Sequence, residues 1–124
     1  MKNRLVIAVA AAALLLSACD NSNRPGGGGS ISAVVVSPNG DEGAAVLDVV
    51  GTVESFTGTD GVSVYTTPTS TGTRVVLVRL TPGTLSMKLS VQDQDQLPAI
   101  SVVEVADPDD RVRPSIAGYT VELK

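Results

Sequence analysis

Few side chains in this sequence could do chemistry, and their types narrow that chemistry sharply. The 124 residues contain no His and a single Cys, Cys19. Without an imidazole, neither a Ser-His-Asp nor a Cys-His site can be assembled from this chain alone, and the commonest general base is missing. A Ser or Thr nucleophile would then need a Lys as its base. Lys88 is the one interior candidate, and the alternation of its neighbours places it on the outward face of a strand. The carboxylates gather in two places: Asp93 and Asp95 in QDQDQ, and Asp107, Asp109 and Asp110 in DPDDR. Hard oxygen ligands on loops suit Ca²⁺, which takes about six to eight of them, but neither cluster has the Gly and Glu spacing of an EF-hand loop. Arg111 and Arg113 stand beside the second cluster and offer it ion-pair partners, and Asp107 before Pro108 reads as a turn residue. Glycoside hydrolysis would need two carboxylates at a set separation, and nothing in the sequence selects a pair. The expectation is a chain that is not an enzyme, with no cofactor and no metal. A calcium site at Asp107, Asp109 and Asp110 stands as the alternative.

Charge and aromatic content exclude further classes. The net charge is −4, and setting aside Lys2 and Arg4 leaves seven cations against thirteen acids, or −6. Nucleic-acid phosphates call for clustered Lys and Arg, so no nucleic-acid partner is expected. The only aromatics are Phe56, Tyr65 and Tyr119, too few for a base-stacking or sugar-stacking platform. A lone Cys allows no intrachain disulfide, so the fold must rest on its apolar core.

The elements that position these residues are short and β-branched. After DNSNRPGGGGS (residues 20–30), a composition that behaves as a flexible coil with a span of about 17–20 Å, apolar runs alternate with Gly, Pro, Asn and Asp. Residues 31–37 (ISAVVVS) form a first strand closed by Pro38-Asn39-Gly40-Asp41. Residues 44–50 (AAVLDVV) form a second, with a bulge or bend at Gly51 before residues 52–56. Residues 62–66 (VSVYT) follow, then 73–80 (TRVVLVRL), whose near-continuous apolar character predicts a strand covered on both faces. Residues 84–91 (TLSMKLSV) alternate strictly, with Leu85, Met87, Leu89 and Val91 inward. Residues 100–105 (ISVVEV) and 117–124 (AGYTVELK) complete the set, the last with Tyr119, Val121 and Leu123 on one face. About seven strands with regular turns and no amphipathic helix predict an all-β fold, a single antiparallel sandwich over residues 31–124.

The segment before that domain has its own pattern. Lys2 and Arg4 precede twelve apolar residues, LVIAVAAAALLL (5–16). Twelve is short of the roughly 20 needed to span a bilayer as a helix, but it fits the apolar region of a secretory leader. Leu16-Ser17-Ala18-Cys19 then resembles a bacterial lipobox. That resemblance implies a signal peptide over residues 1–18, a diacylglyceryl thioether on Cys19, cleavage before it, and a lipidated linker over residues 19–30. Asp20 resembles the residue that holds some lipoproteins at the inner membrane. Two buried acyl chains suffice for stable anchoring.

From Gly43 to Lys124 the sequence is similar to uncharacterised bacterial envelope lipoproteins that share an RVVLV strand and the ending EVADPDDRVRPSIAGYTVEL. Its strand layout is similar to small immunoglobulin-like or cohesin-like sandwiches, although the immunoglobulin Cys…Trp…Cys core is absent. These resemblances imply a membrane-anchored cell-envelope module at the inner or outer membrane. Its partner would be an envelope protein or glycan, met, if by strand addition, at the first or last strand.

Overall fold

The computed structural model describes residues 28–124. The leader, Cys19 and most of the linker lie outside the described residues. The described chain is all β: β1 (Gly29–Val36), β2 (Glu42–Val50), β3 (Ser55–Gly58), β4 (Val62–Pro68), β5 (Gly72–Gly83), β6 (Ser86–Val91), β7 (Ala99–Ala106) and β8 (Thr120–Leu123). They form two antiparallel four-stranded sheets, ordered β3-β6-β1-β8 and β4-β5-β2-β7. The strands number eight rather than seven, and Gly51 is the reason. Its φ of 122° turns the chain out of the second strand, and the next segment joins the opposite sheet beside β6.

Period-two burial builds the core. Ile31, Ala33 and Val35 of β1, with Met87, Leu89 and Val91 of β6, face Ala45, Leu47 and Val49 of β2 and Val75 and Leu77 of β5 across the sandwich. Leu85, Val105 and Tyr119 close the ends, and Val53, Phe56, Val121 and Leu123 pack around them. The alternation predicted for residues 84–91 is met at every position, and Lys88 is exposed on the outer face.

Two expectations need correction. β1 begins at Gly29, two residues early, because Gly29 and Ser30 pair with Val91 and Ser90; backbone pairing needs no apolar side chain. β5 is central in its sheet, but only one of its faces is covered. Val75 and Leu77 are buried, whereas Val76 and Val78 are half-buried among the outward residues of β2 and β4. Its outer apolar positions follow the β-branched preference of a paired strand more than full enclosure.

β5 also carries an excursion. Glu42 pairs with Gly83 and Ala44 with Val78, so residues 79–82 arch away from β2 opposite Gly43, while Arg79 stays paired with Val62 of β4. Arg79 turns its guanidinium onto three carbonyls at this end of the sandwich, those of Thr81 (2.8 Å), Asp60 (2.6 Å) and Thr84 (3.1 Å). Leu80, at the outside of the arch, is 96% exposed.

The sheets approach closely at the β3–β4 corner, where Val62 N donates to Thr59 O (3.1 Å). A methyl group added at Gly58 would fall well inside van der Waals contact distance of the Val62 carbonyl oxygen, a backbone atom that cannot swing aside. Gly58→Ala is therefore expected to cost about 1–3 kcal/mol, the usual range for overpacking, read as a lower midpoint in urea. A midpoint equal to that of the unaltered chain would show that the corner yields freely.

Candidate functional site

The one buried charged residue among the described positions is Glu42, 2% exposed at the head of β2. It sits where the β1–β2 turn meets the segment leading into β8. Arg113 donates to its Oε1 from Nε (3.0 Å) and from the terminal Nη2 (2.9 Å). Ser37 Oγ donates to Oε2 at 2.6 Å, and the Tyr119 hydroxyl donates to the same oxygen. Asn39 Nδ2 in turn donates to the Tyr119 hydroxyl (2.9 Å), and the Asn39 amide is held by Ser37 Oγ (2.9 Å). Three residues from three stretches of chain thus meet on one carboxylate, with Asn39 bonded to two of them.

Its electrostatics follow from that company. Burial pushes the Glu42 carboxyl upward, but hydrogen bonds from Ser37, Tyr119 and Arg113, with the Arg113 charge, outweigh it and hold the group below the ordinary carboxylate range. The hydrogen bond and charge of Glu42 likewise raise Arg113. A carboxylate accepting four donors is ionised and has its acceptor positions filled. It cannot take a proton from a substrate or ligate a metal without first giving up structural bonds. A cleft of about 290 Å³ adjoins it, lined by Val34, Val36, Asp41, Thr84 and Leu85 among others. That is at the small end for ligand pockets.

The acidic clusters are turn structures. Asp107 Oδ1 accepts from the amides of Asp109 (2.8 Å) and Arg111 (3.0 Å), and Asp110 N donates to Asp107 O (3.0 Å). Those amides, the Arg111 amide foremost, lower the Asp107 carboxyl despite the opposing effect of desolvation, with help from the charges of Arg113 and Arg111. Asp110 takes a φ of 65°, a left-handed conformation that Asp tolerates. Asp109 and Asp110 are exposed. Asp93 repeats the device, with Oδ1 accepting from Asp95 N at 2.8 Å. Among the described residues no three His, Cys, Asp or Glu side chains converge as a metal-holding group. Arg113, placed by sequence beside Asp107, instead pairs with Glu42.

No family model, characterised protein or solved structure shows significant similarity to this chain. The reading therefore rests on its own residues.

Sequence reasoning missed the Glu42 cluster altogether. Glu42 lies in Asn-Gly-Asp-Glu-Gly, a run whose composition signals a turn, and Arg113 and Tyr119 lie some seventy residues away. The available signal was Tyr119, an aromatic with a hydroxyl in an inward register, which needs a polar partner when buried. Lys88, the interior candidate for a Lys base, stands on the solvent face of β6.

Proposed function

We propose that this chain is a lipid-anchored module of a bacterial cell envelope, a β-sandwich that binds or supports a partner without catalysis. The observation that carries the reading is Leu16-Ser17-Ala18-Cys19 behind a charged start and a twelve-residue apolar run. The absence of His from the sequence and the filled acceptor positions of Glu42 agree with a scaffold rather than a catalyst. The strand order departs from that of immunoglobulin constant domains. In immunoglobulin constant domains the first strand shares a sheet with the second, fourth and fifth, whereas here β1 lies between β6 and β8. The membrane is reached through two acyl chains on Cys19, which need no further contact from the domain. The partner is an envelope protein or glycan.

The test is fractionation of cells producing the chain with Cys19→Ser. The unaltered protein is expected in the membrane pellet, labelled by a palmitate analogue. The variant is expected in the soluble fraction, unlabelled. Equal membrane retention of the two forms would overturn the anchor.

A further inference from the structure

The β1–β2 turn contains the one Asn-Gly pair of the sequence, Asn39-Gly40, and Asn39 is the only Asn among the described residues. Before a Gly, a side-chain amide is most open to attack by the following backbone nitrogen, because no Cβ blocks the approach. The turn leaves that approach clear. Pro38, Asn39 and Gly40 are exposed and lie outside every strand pairing, between the end of β1 and the start of β2. Gly40 takes a φ of 91°, and nothing stands within 4 Å of the place a Cβ would occupy there.

Asn39 is also joined to the buried carboxylate. Its Nδ2 donates to the Tyr119 hydroxyl (2.9 Å), and the single proton of that hydroxyl goes to Glu42. Tyr119 can therefore accept a bond from position 39 but has no proton left to donate to it. The position suits an amide and penalises a carboxylate.

We propose that Asn39 is a deamidation site whose product loosens the Glu42 cluster. The Gly40 nitrogen attacks Asn39 Cγ, the new N–Cγ bond closes a succinimide ring, and the Cγ–Nδ2 bond breaks. Nδ2 leaves as ammonia, taking the proton of the Gly40 amide. Water then opens the ring at either carbonyl. One opening leaves an aspartate at position 39. The other leaves an isoaspartate, with the main chain rerouted through the side-chain carbonyl. Nothing is oxidised or reduced, and water is the only co-reactant.

Either product removes the donor that Asn39 offers to Tyr119. A carboxylate has no N–H to give, so two carboxylates then bear on one hydroxyl whose proton is committed to Glu42. The new charge also stands next to Asp41 and Glu42 in a chain whose acids already outnumber its bases. Isoaspartate does more. It adds a backbone carbon to the turn between Ser37 and Glu42, whose side chains are joined at 2.6 Å. Asn39-Gly40 is thus a slow, one-way charge switch beside the network that holds Arg113 and Tyr119. The inference concerns this turn alone and does not depend on the lipid anchor.

The experiment ages the full chain carrying Cys19→Ser, so that no thiol oxidises, in mildly alkaline buffer that favours the attacking amide anion. A synthetic peptide of residues 36–43 is aged beside it. Mass spectrometry is expected to show the gain that accompanies exchange of an amide for a carboxyl, located by fragmentation to Asn39, in aspartate and isoaspartate forms. The aged fraction should melt roughly 5 °C below the fresh protein, the effect of one lost hydrogen bond in a domain of this size. Freshly made Asn39→Asp should reproduce most of that shift. Asn39→Gln, whose cyclisation needs a larger and slower-forming ring, should gain no mass at this position. An Asn39 that stays intact while the peptide converts overturns the proposal. So does conversion that leaves the melting temperature in place, or an equal mass gain in Asn39→Gln.

Discussion

Glu42→Gln is expected to lower the melting temperature by roughly 10 °C and to flatten its dependence on pH. The substitution keeps the shape of the side chain but puts an amide group among donors. Arg113, Ser37 and Tyr119 all point N–H or O–H groups at this position, and one of them must lose its acceptor. Removing one member of a fully buried ion pair costs about 3–5 kcal/mol. Here the Arg113 side chain keeps 23% of its exposure and can be hydrated in part, so about 2–3 kcal/mol is the expected loss. For a domain near a hundred residues each kcal/mol is worth about 4–8 °C. Glu122→Gln, on the exposed outer side of β8, should leave the melting point in place. A Glu42→Gln variant that melts with the unaltered protein would show the cluster to be dispensable.

The pH dependence follows from the direction of the same shift. The folded state holds the Glu42 carboxyl below its ordinary value, and Asp107 and Asp48 are lowered as well, Asp48 by its hydrogen bond to Arg74. A depressed carboxyl stabilises the fold above the unfolded pKa, and that contribution is lost as pH falls through the folded pKa. The melting temperature should therefore be level near neutrality and decline from about pH 5 downward, since unfolded carboxyls titrate near pH 4. In Glu42→Gln the decline should be shallower, leaving only the parts due to Asp107 and Asp48. An equal slope in both proteins would remove Glu42 from the acid response.

Much of the scaffold was legible because strand burial has a period of two. Leu85, Met87, Leu89 and Val91 announce an inward face, and Pro38-Asn39-Gly40 and Asp60-Gly61 announce turns, with Gly40 and Gly61 at positive φ. The pairing of strands was not legible. The first strand was one of two expected to offer a free edge, yet it lies between β6 and β8, while β8 is indeed terminal in its sheet. Nothing in a run of Val and Ser says which neighbours will flank it. β5 misled for a related reason: Val76 and Val78 have the composition of a doubly covered strand and one open face. The Glu42 cluster was illegible because its bonded members are separated by up to 80 residues and each has an ordinary local explanation. A carboxylate beside a Gly looks like a turn until its partners arrive from the other end of the chain.

The largest effect on the apolar side is expected at Leu47. It lies in β2, the strand flanked by β5 and β7, opposite Val75 and Val102, and is fully buried against the other sheet. Leu47→Ala deletes three carbons from the centre of a sandwich whose halves are each too thin to collapse around the gap. Losses of this kind run to about 3–5 kcal/mol, the transfer term plus the cavity left behind. Against a total stability of about 5–15 kcal/mol, with no disulfide to limit the unfolded chain, the variant should unfold at about four-fifths or less of the urea needed by the unaltered protein. Leu80→Ala is the internal comparison. The residue type and strand are those of a core position, but at 96% exposure the change should fall within about 0.5 kcal/mol. If the two substitutions cost the same, the arch at residues 79–82 would have to be packed rather than solvated. The assignment of Leu47 and Leu77 to the closed side of the sheet would then fail with it.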